Sequence, residues 1–375
     1  AKPAKFYMVS AWLVWFGSAL SALWILIANS WMQTPAGAEL SADGSKAVIT
    51  DFLTAAMNPS VWPRYSHTIV AVLIMGAFMT MAVAAWYMHK KDHEKFALRA
   101  MKIGSIVATI SCACMLVTAH SSAVVVSEEQ PTKFAMMEGM YEDEVPPLYA
   151  IGWVDEANEQ VIAPFAIPGG TSFLATGNWD TEYQGLNSLA ETEDYSAIDP
   201  ETMPVNLVFQ SYHLMVAMFG LMALTLLLAL IFTFKGGSIK KMRWLQWLII
   251  ISPIFAVLAI QSGWATAEFG RQPWVVYPSV TGPEGVELLT ADGISLAVSG
   301  WELIATIVLF VLIYLVLFIA WARIVARFIK QGPTQEQPAP VAASSNSFMS
   351  GTPPAKAANA SPNDETAPAA TKEGE

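Results

Sequence analysis

The sequence predicts an all-α polytopic membrane protein with six transmembrane helices. Three observations predict it. Of 375 residues, 54% are hydrophobic and only 14% are charged, whereas a soluble chain carries about a quarter charged. Six separate apolar stretches each approach the roughly 20 residues that a helix needs to cross a bilayer. Lys and Arg fall in alternate connections, which fixes a direction for every span.

The spans run from Met8 to Met32, Ser66 to Met88, Met101 to Ala119, Leu207 to Phe234, Trp244 to Ala267, and Leu303 to Ala322. Lys2 and Lys5 precede the first. Five basic residues, Lys90 to Lys102, separate the second from the third, and four, Lys235 to Arg243, separate the fourth from the fifth. Arg323, Arg327 and Lys330 follow the sixth. The other side holds only Lys46, Arg64, Lys133 and Arg271. The positive-inside rule then makes both ends cytoplasmic. No short apolar stretch with a small-residue cleavage site precedes the first span, so no removable signal peptide is predicted.

This divides the chain into residues 1–119 with three spans, an extracytoplasmic loop 120–206, residues 207–330 with three more spans, and a tail 331–375. The net charge of -11 comes mainly from acidic residues in the outer loops, which read as a solvated surface. With no basic stripe, no nucleic-acid partner is expected. Within the outer loop, Phe134, Met137 and Tyr141 recur at helical spacing and predict a short amphipathic helix, lying either on the membrane surface or as an ordinary covering helix. The rest of the loop shows no sustained period. The tail is rich in Ala, Pro, Ser and Thr and is expected to be disordered. Cys112 and Cys114 lie inside an apolar run and read as buried thiols. No C-x-x-C-H motif occurs, so any haem is held without a covalent link.

Polar groups placed where they are costly are the candidates for chemistry. His67, just inside the outer end of the second span, is either an interfacial hydrogen-bonding residue or a haem-iron ligand. Met215, near the outer end of the fourth span, is either packing or a soft axial ligand. The two are predicted at similar depth near one membrane face, as a His/Met haem site requires. His213 is a rival ligand; two residues along a helix turn the side chain through about 200°, so His213 and Met215 cannot both face one iron. Glu268 ends the fifth span, with Arg271 three residues on. A carboxylate there is costly, and the pair either marks the interface or serves iron ligation or proton movement. Small residues at Gly17-Ser18-Ala19 and Ser21-Ala22 permit close helix approach or leave room for a flat macrocycle.

Two stretches carry a resemblance. Gly17-Ser18-Ala19-Leu20-Ser21-Ala22-Leu23-Trp24-Ile25-Leu26-Ile27-Ala28-Asn29-Ser30-Trp31-Met32-Gln33 and Gly270-Arg271-Gln272-Pro273-Trp274, the latter preceded by Gly263-Trp264 and Glu268, resemble signatures of cytochrome bd-type quinol oxidase subunit I. The resemblance covers roughly residues 8 to 330. It implies a haem-binding subunit of a terminal quinol:oxygen oxidoreductase, oxidising quinol at the outer face, reducing oxygen to water and generating a proton gradient. It implies that His67 and Met215 ligate a low-spin haem b, and that Glu268 ligates a high-spin haem b, with Trp264 and Arg271 beside it. Thr132-Lys133-Phe134-Ala135-Met136-Met137-Glu138 matches the spacing of the family's quinol loop, which makes Lys133 and Glu138 the quinol-site residues. Subunit II, small accessory peptides and membrane lipid are the implied partners.

Two departures accompany the resemblance. The family has about nine spans, and six are found. The others, with the histidine ligand of haem d, are expected upstream of residue 1 or on another chain. His213 stands where some members carry Arg. The competing expectations are a non-oxidase, quinol-linked cytochrome b electron-transfer subunit and, from a different class, a transporter or channel whose Glu268 and His67 line a path.

Overall fold

The computed structural model describes residues 4–295 and 297–333. Among them, six helices are long and apolar enough to cross a membrane. These are α1 (Ala4–Trp31), α3 (Val61–Lys90), α4 (Glu94–Glu129), α8 (Val205–Phe234), α9 (Arg243–Phe269) and α10 (Gly300–Gln331). Between them lie the small elements β1 (Ala38–Leu40), β2 (Ala47–Ile49), α2 (Phe52–Ala56), α5 (Pro131–Glu138), β3 (Leu148–Asp155), β4 (Gln160–Ile167), α6 (Gly170–Thr176), α7 (Leu186–Ala190), β5 (Trp274–Val276) and β6 (Leu288–Leu289). The strands pair as three antiparallel hairpins, β1–β2, β3–β4 and β5–β6.

The helices coincide with the expected spans but outrun most of them. The largest excess is in α4, whose length of about 54 Å exceeds the hydrocarbon core. Its first turns carry Glu94, Lys95, Arg99 and Lys102, which are helical yet too polar to register as span. Local chemistry sets the ends. Asp51 caps α2 by accepting from the Leu53 and Thr54 backbone amides, and Ser299 and Glu302 form a capping box at the start of α10.

In the centre, α3 packs against α4 and α9, while α8 packs against α9 and α4. These four therefore form a bundle in which α3 and α8 stand diagonally. Its apolar core, including Phe78, Met81, Met101, Leu226, Leu245 and Ile249, fills the half away from the 120–206 segment. Toward the other end (the loop end), the packing opens. No residue of α3 between 62 and 73, of α4 between 116 and 128, or of α8 between 212 and 221 is fully buried. On α9 the same is true of 257–261. These four stretches lie at similar depth, within a band roughly 20 Å tall. In contrast, α1 packs mainly on α3, and α10 has no buried residue. The lower end of α10 is held by the Tyr87 hydroxyl, which donates to the Ile329 carbonyl at 2.7 Å.

The segment above the bundle is more ordered than its pattern predicts. The expected amphipathic helix is α5, and it is not one-sided: every residue from Thr132 to Glu138 is buried. Gly139, at φ +75°, ends it, so Tyr141 lies beyond the helix. The β3–β4 hairpin gave no period-two signal because its register shifts twice, between Tyr149 and Ile151 and between Ile151 and Trp153. Such bulges break the alternation by which strands are recognised. Gln331, expected in the tail, is the last residue of α10. The remaining expectation of disorder falls on residues 334–375, which lie outside those described.

Candidate functional site

Three groups of polar side chains gather at the loop end. The first surrounds Glu268 in the last turn of α9. Its Oε1 accepts from Asn29 Nδ2 at 3.1 Å and its Oε2 from the Arg271 guanidinium at 2.5 Å. Asn29, near the end of α1, also accepts from Arg64 on α3 at 2.5 Å, and the Arg64 guanidinium lies 6.0 Å from the centre of the Trp264 ring. Three helices thus converge on one carboxylate. Arg271 is buried, its other terminal nitrogen donating to the Val275 carbonyl at 2.9 Å, while its Nε has no partner among the described residues.

The second group extends this network to α5. Lys133 is buried and donates to Gln33 Oε1 and, at 2.8 Å, to Gln130 Oε1. Gln33 itself donates to the Ala267 carbonyl at 3.1 Å, tying α1 to the turn that bears Glu268. The Lys133 stem crosses Gly270 so closely that a Cβ there would lie 2.8 Å from Lys133 Cγ. Burial, reinforced by the nearby Arg64 and Arg271, holds the Lys133 ammonium well below the ordinary lysine range. Glu138 takes another direction. Five residues on, it leaves α5 on a different face and accepts from the Thr171 hydroxyl at 3.1 Å. Burial pushes its carboxyl up to about 8, with the Thr171 hydrogen bond opposing and Glu144 adding to the rise. Lys133 and Glu138 therefore belong to separate hydrogen-bonded clusters, one beside Glu268 and one at Thr171.

The third group lies in the open band of the bundle. His67 lies in the second turn of α3, and its buried Nδ1 has no hydrogen-bond partner among the described residues. From diagonally opposite α8, Met215 presents its sulfur toward α9, where a Cβ on Gly263 would lie only 2.8 Å from Sδ. His213 faces elsewhere. Its ring stacks on Phe209 with centroids 3.9 Å apart, and Phe209 in turn packs against the hairpin at Gly152. His213 Nδ1 donates to the Phe209 carbonyl at 2.8 Å, which leaves a buried Nε2 without a partner.

Three of the four basic residues that break the charge asymmetry, Arg64, Lys133 and Arg271, are thus members of this network; only Lys46 is exposed. Sequence reasoning did not single out Asn29, Gln33, Gln130 or Thr171. The available signal was two amides spaced i, i+4 at the end of an apolar span, at Asn29 and Gln33.

Comparison with known proteins bears on what this network serves. The family model described as "Cytochrome bd terminal oxidase subunit I" matches residues 2–333. The chain belongs to that family. Curated members include the cytochrome bd-II ubiquinol oxidase subunit 1 of Escherichia coli (strain K12), 29% identical across 88% of this chain and 74% of that protein. The cytochrome bd ubiquinol oxidase subunit 1 of Bacillus subtilis (strain 168) is 29% identical across 92% and 72%. The solved bd oxidase from Geobacillus thermodenitrificans superposes with a TM-score of 0.70 at 26% identity, covering 89% of this chain and 72% of that one. A terminal oxidase subunit of the cytochrome type implies haem as cofactor, and the residues fit one. The loop-end half of the bundle is loosely packed, His67 and Met215 stand on its two diagonal helices, and the His67 Nδ1 has no hydrogen bond among the described residues.

Proposed function

We propose that this chain is the haem-bearing subunit of a quinol:oxygen oxidoreductase in a bacterial cytoplasmic membrane, with both ends cytoplasmic and the 120–206 loop extracytoplasmic. His67 and Met215 are the axial ligands of a low-spin haem b, and Glu268 is the ligand of a high-spin haem b flanked by Trp264 and Arg271. Lys133 and Glu138 serve the quinol, with oxygen as electron acceptor. Haem d completes the oxygen site, with no residue named above assigned to it. Subunit II and small accessory peptides are the expected partners. Bound haem supplies one-electron transfer and oxygen reduction.

The residues themselves account for binding and proton handling. Lys133, which already donates to Gln33 and Gln130, offers a further hydrogen bond to a quinol oxygen. Glu138, when ionised, accepts a proton from the quinol hydroxyl. Asn29 and Arg271 fix both oxygens of Glu268, so the carboxylate is oriented before any ligand arrives. Protons released at the loop end and taken up from the opposite face would separate charge across the membrane.

The observation that supports this reading is that His67, Met215 and Glu268 stand on the loop-end turns of α3, α8 and α9, next to the segment that carries Lys133 and Glu138. The test is the dithionite-reduced spectrum of the purified complex and of His67→Ala and Met215→Leu. Each substitution should abolish the low-spin haem b band while the complex still assembles. Retention of that band in both variants would falsify the ligand assignment. A far-red haem d band in the parent complex distinguishes an oxidase from a non-oxidase electron carrier.

A further inference from the structure

The β3–β4 hairpin has two apolar faces, and only one of them is covered. Gly152 and Val154 on β3 and Val161 on β4 form the inner face. A Cβ on Gly152 would lie 3.0 Å from the tip of Phe209, and one on Gly139 would press on Val161 and Val154. That face therefore seats the start of α8 and the end of α5, the helix that carries Glu138. The outer face presents Ile151 (72% exposed), Trp153 (58%), Ile162 (57%) and Phe165 (62%). Ile151 pairs across the hairpin with Phe165 and Trp153 with Ile162, so the four make one contiguous patch. An antiparallel pair with one face on the protein and the other in water presents polar side chains outward; this one does the reverse.

Two further observations say what covers the patch. The first is height. Strand β3 is fastened to the first two turns of α8: Gln210 Nε2 donates to the Gly152 carbonyl at 2.8 Å, and the Val154 amide donates to Asn206 Oδ1 at 3.1 Å. Helix α8 has 30 residues and is about 45 Å long, which equals a bilayer including its headgroup layers. Its first turns therefore lie at headgroup depth, and the hairpin lies beside them. The patch is at the level where exposed Leu207 and Leu214 begin the apolar surface of α8. The second is charge. Residues 148–154 and 160–179 contain no Asp, Glu, Lys or Arg. Of the acidic residues between them, Asp155 ends β3 at the rim of the patch, while in the turn Glu156 accepts from the Asn206 amide and Glu159 from Asn187. Indole and phenyl rings on an uncharged surface at this depth match the membrane–water interface.

We infer that the outer face of the β3–β4 hairpin is a lipid-docking surface, immersed in the headgroup layer of the leaflet beside α8. The hairpin then acts as a wedge whose inner face holds the end of α5, which carries Glu138, at the depth of the lipid headgroups. This does not depend on the haem assignments.

The test uses the purified complex in phosphatidylcholine/phosphatidylglycerol nanodiscs. In a Cys112→Ala, Cys114→Ala background, Ile151→Cys and separately Phe165→Cys carry an environment-sensitive fluorophore, and Asn158→Cys in the turn serves as the aqueous reference. Labels at 151 and 165 should be quenched several-fold more by headgroup-nitroxide lipid than by aqueous iodide, and the label at 158 should show the opposite order. Iodide quenching at 151 and 165 equal to that at 158 would overturn the inference in favour of a water-facing hairpin. Protection from both quenchers would overturn it in favour of a protein partner on this face.

Discussion

Glu138 and Lys133 share one helix, and burial acts on them in opposite senses, raising the carboxyl and lowering the ammonium. Both are thereby drawn toward neutrality. If the Glu138 carboxylate is the proton acceptor, quinol oxidation should rise as pH passes from 6 through about 8. Glu138→Gln should flatten that rise and lower kcat by about 100-fold or more, the usual scale for losing a general base. The same shift has a stability consequence. A carboxyl raised in the fold above its ordinary 4.5 contributes its full stability below that value and loses it as pH rises through about 8. Proteolysis of the 140–200 segment should therefore quicken between pH 6 and 9 in the parent and stay level in Glu138→Gln. A second single-residue test concerns Met215. Gly263→Ala would place a Cβ 2.8 Å from Met215 Sδ, and the flexible thioether can swing away at little cost in stability. The expected outcome is an intact complex whose low-spin haem b spectrum is partly converted to high spin. An unchanged spectrum would argue that the sulfur does not contact iron.

At the scale of elements, the junction of α5 with the hairpin tolerates little change. Gly139 holds φ +75° with Val161 and Val154 pressed against the site of its missing side chain. Gly139→Ala should cost on the order of 1–3 kcal/mol and appear as faster amide exchange over 148–167, with the bundle unaffected. The sequence made the six long helices legible because each buries or exposes enough apolar surface to stand out in hydropathy. Lys133 and Glu138 were singled out only through the family resemblance, and nothing in it showed that their hydrogen bonds run to different partners; five residues of helix turn them apart. The hairpin was illegible because two bulges erase its alternation. Arg64 read as a stray charge, since its partner Asn29 is 35 positions away and nothing local announces a contact between α1 and α3.

Across the whole molecule the bundle is packed unevenly, and this sets where a cofactor matters to the fold. Away from the loop end, side chains such as Phe78, Met81, Met101 and Leu226 are fully buried and need no further partner. Toward the loop end, α3, α4 and α8 each run ten or more residues without one fully buried position. A group bound only by the folded bundle stabilises it by mass action, about 4 kcal/mol when present at a thousandfold excess over its dissociation constant. That stabilisation should be local, because regions open independently when they share few contacts. Protein produced under haem limitation and examined by amide exchange in nanodiscs should therefore lose protection, by tenfold or more, over 62–73, 116–128 and 212–221. Protection over 77–88 and 222–229 should be retained. Uniform loss would mean that the packed half also depends on the cofactor. Unaltered exchange everywhere would mean that the open band is not where haem binds, and the ligand roles of His67 and Met215 would go with it.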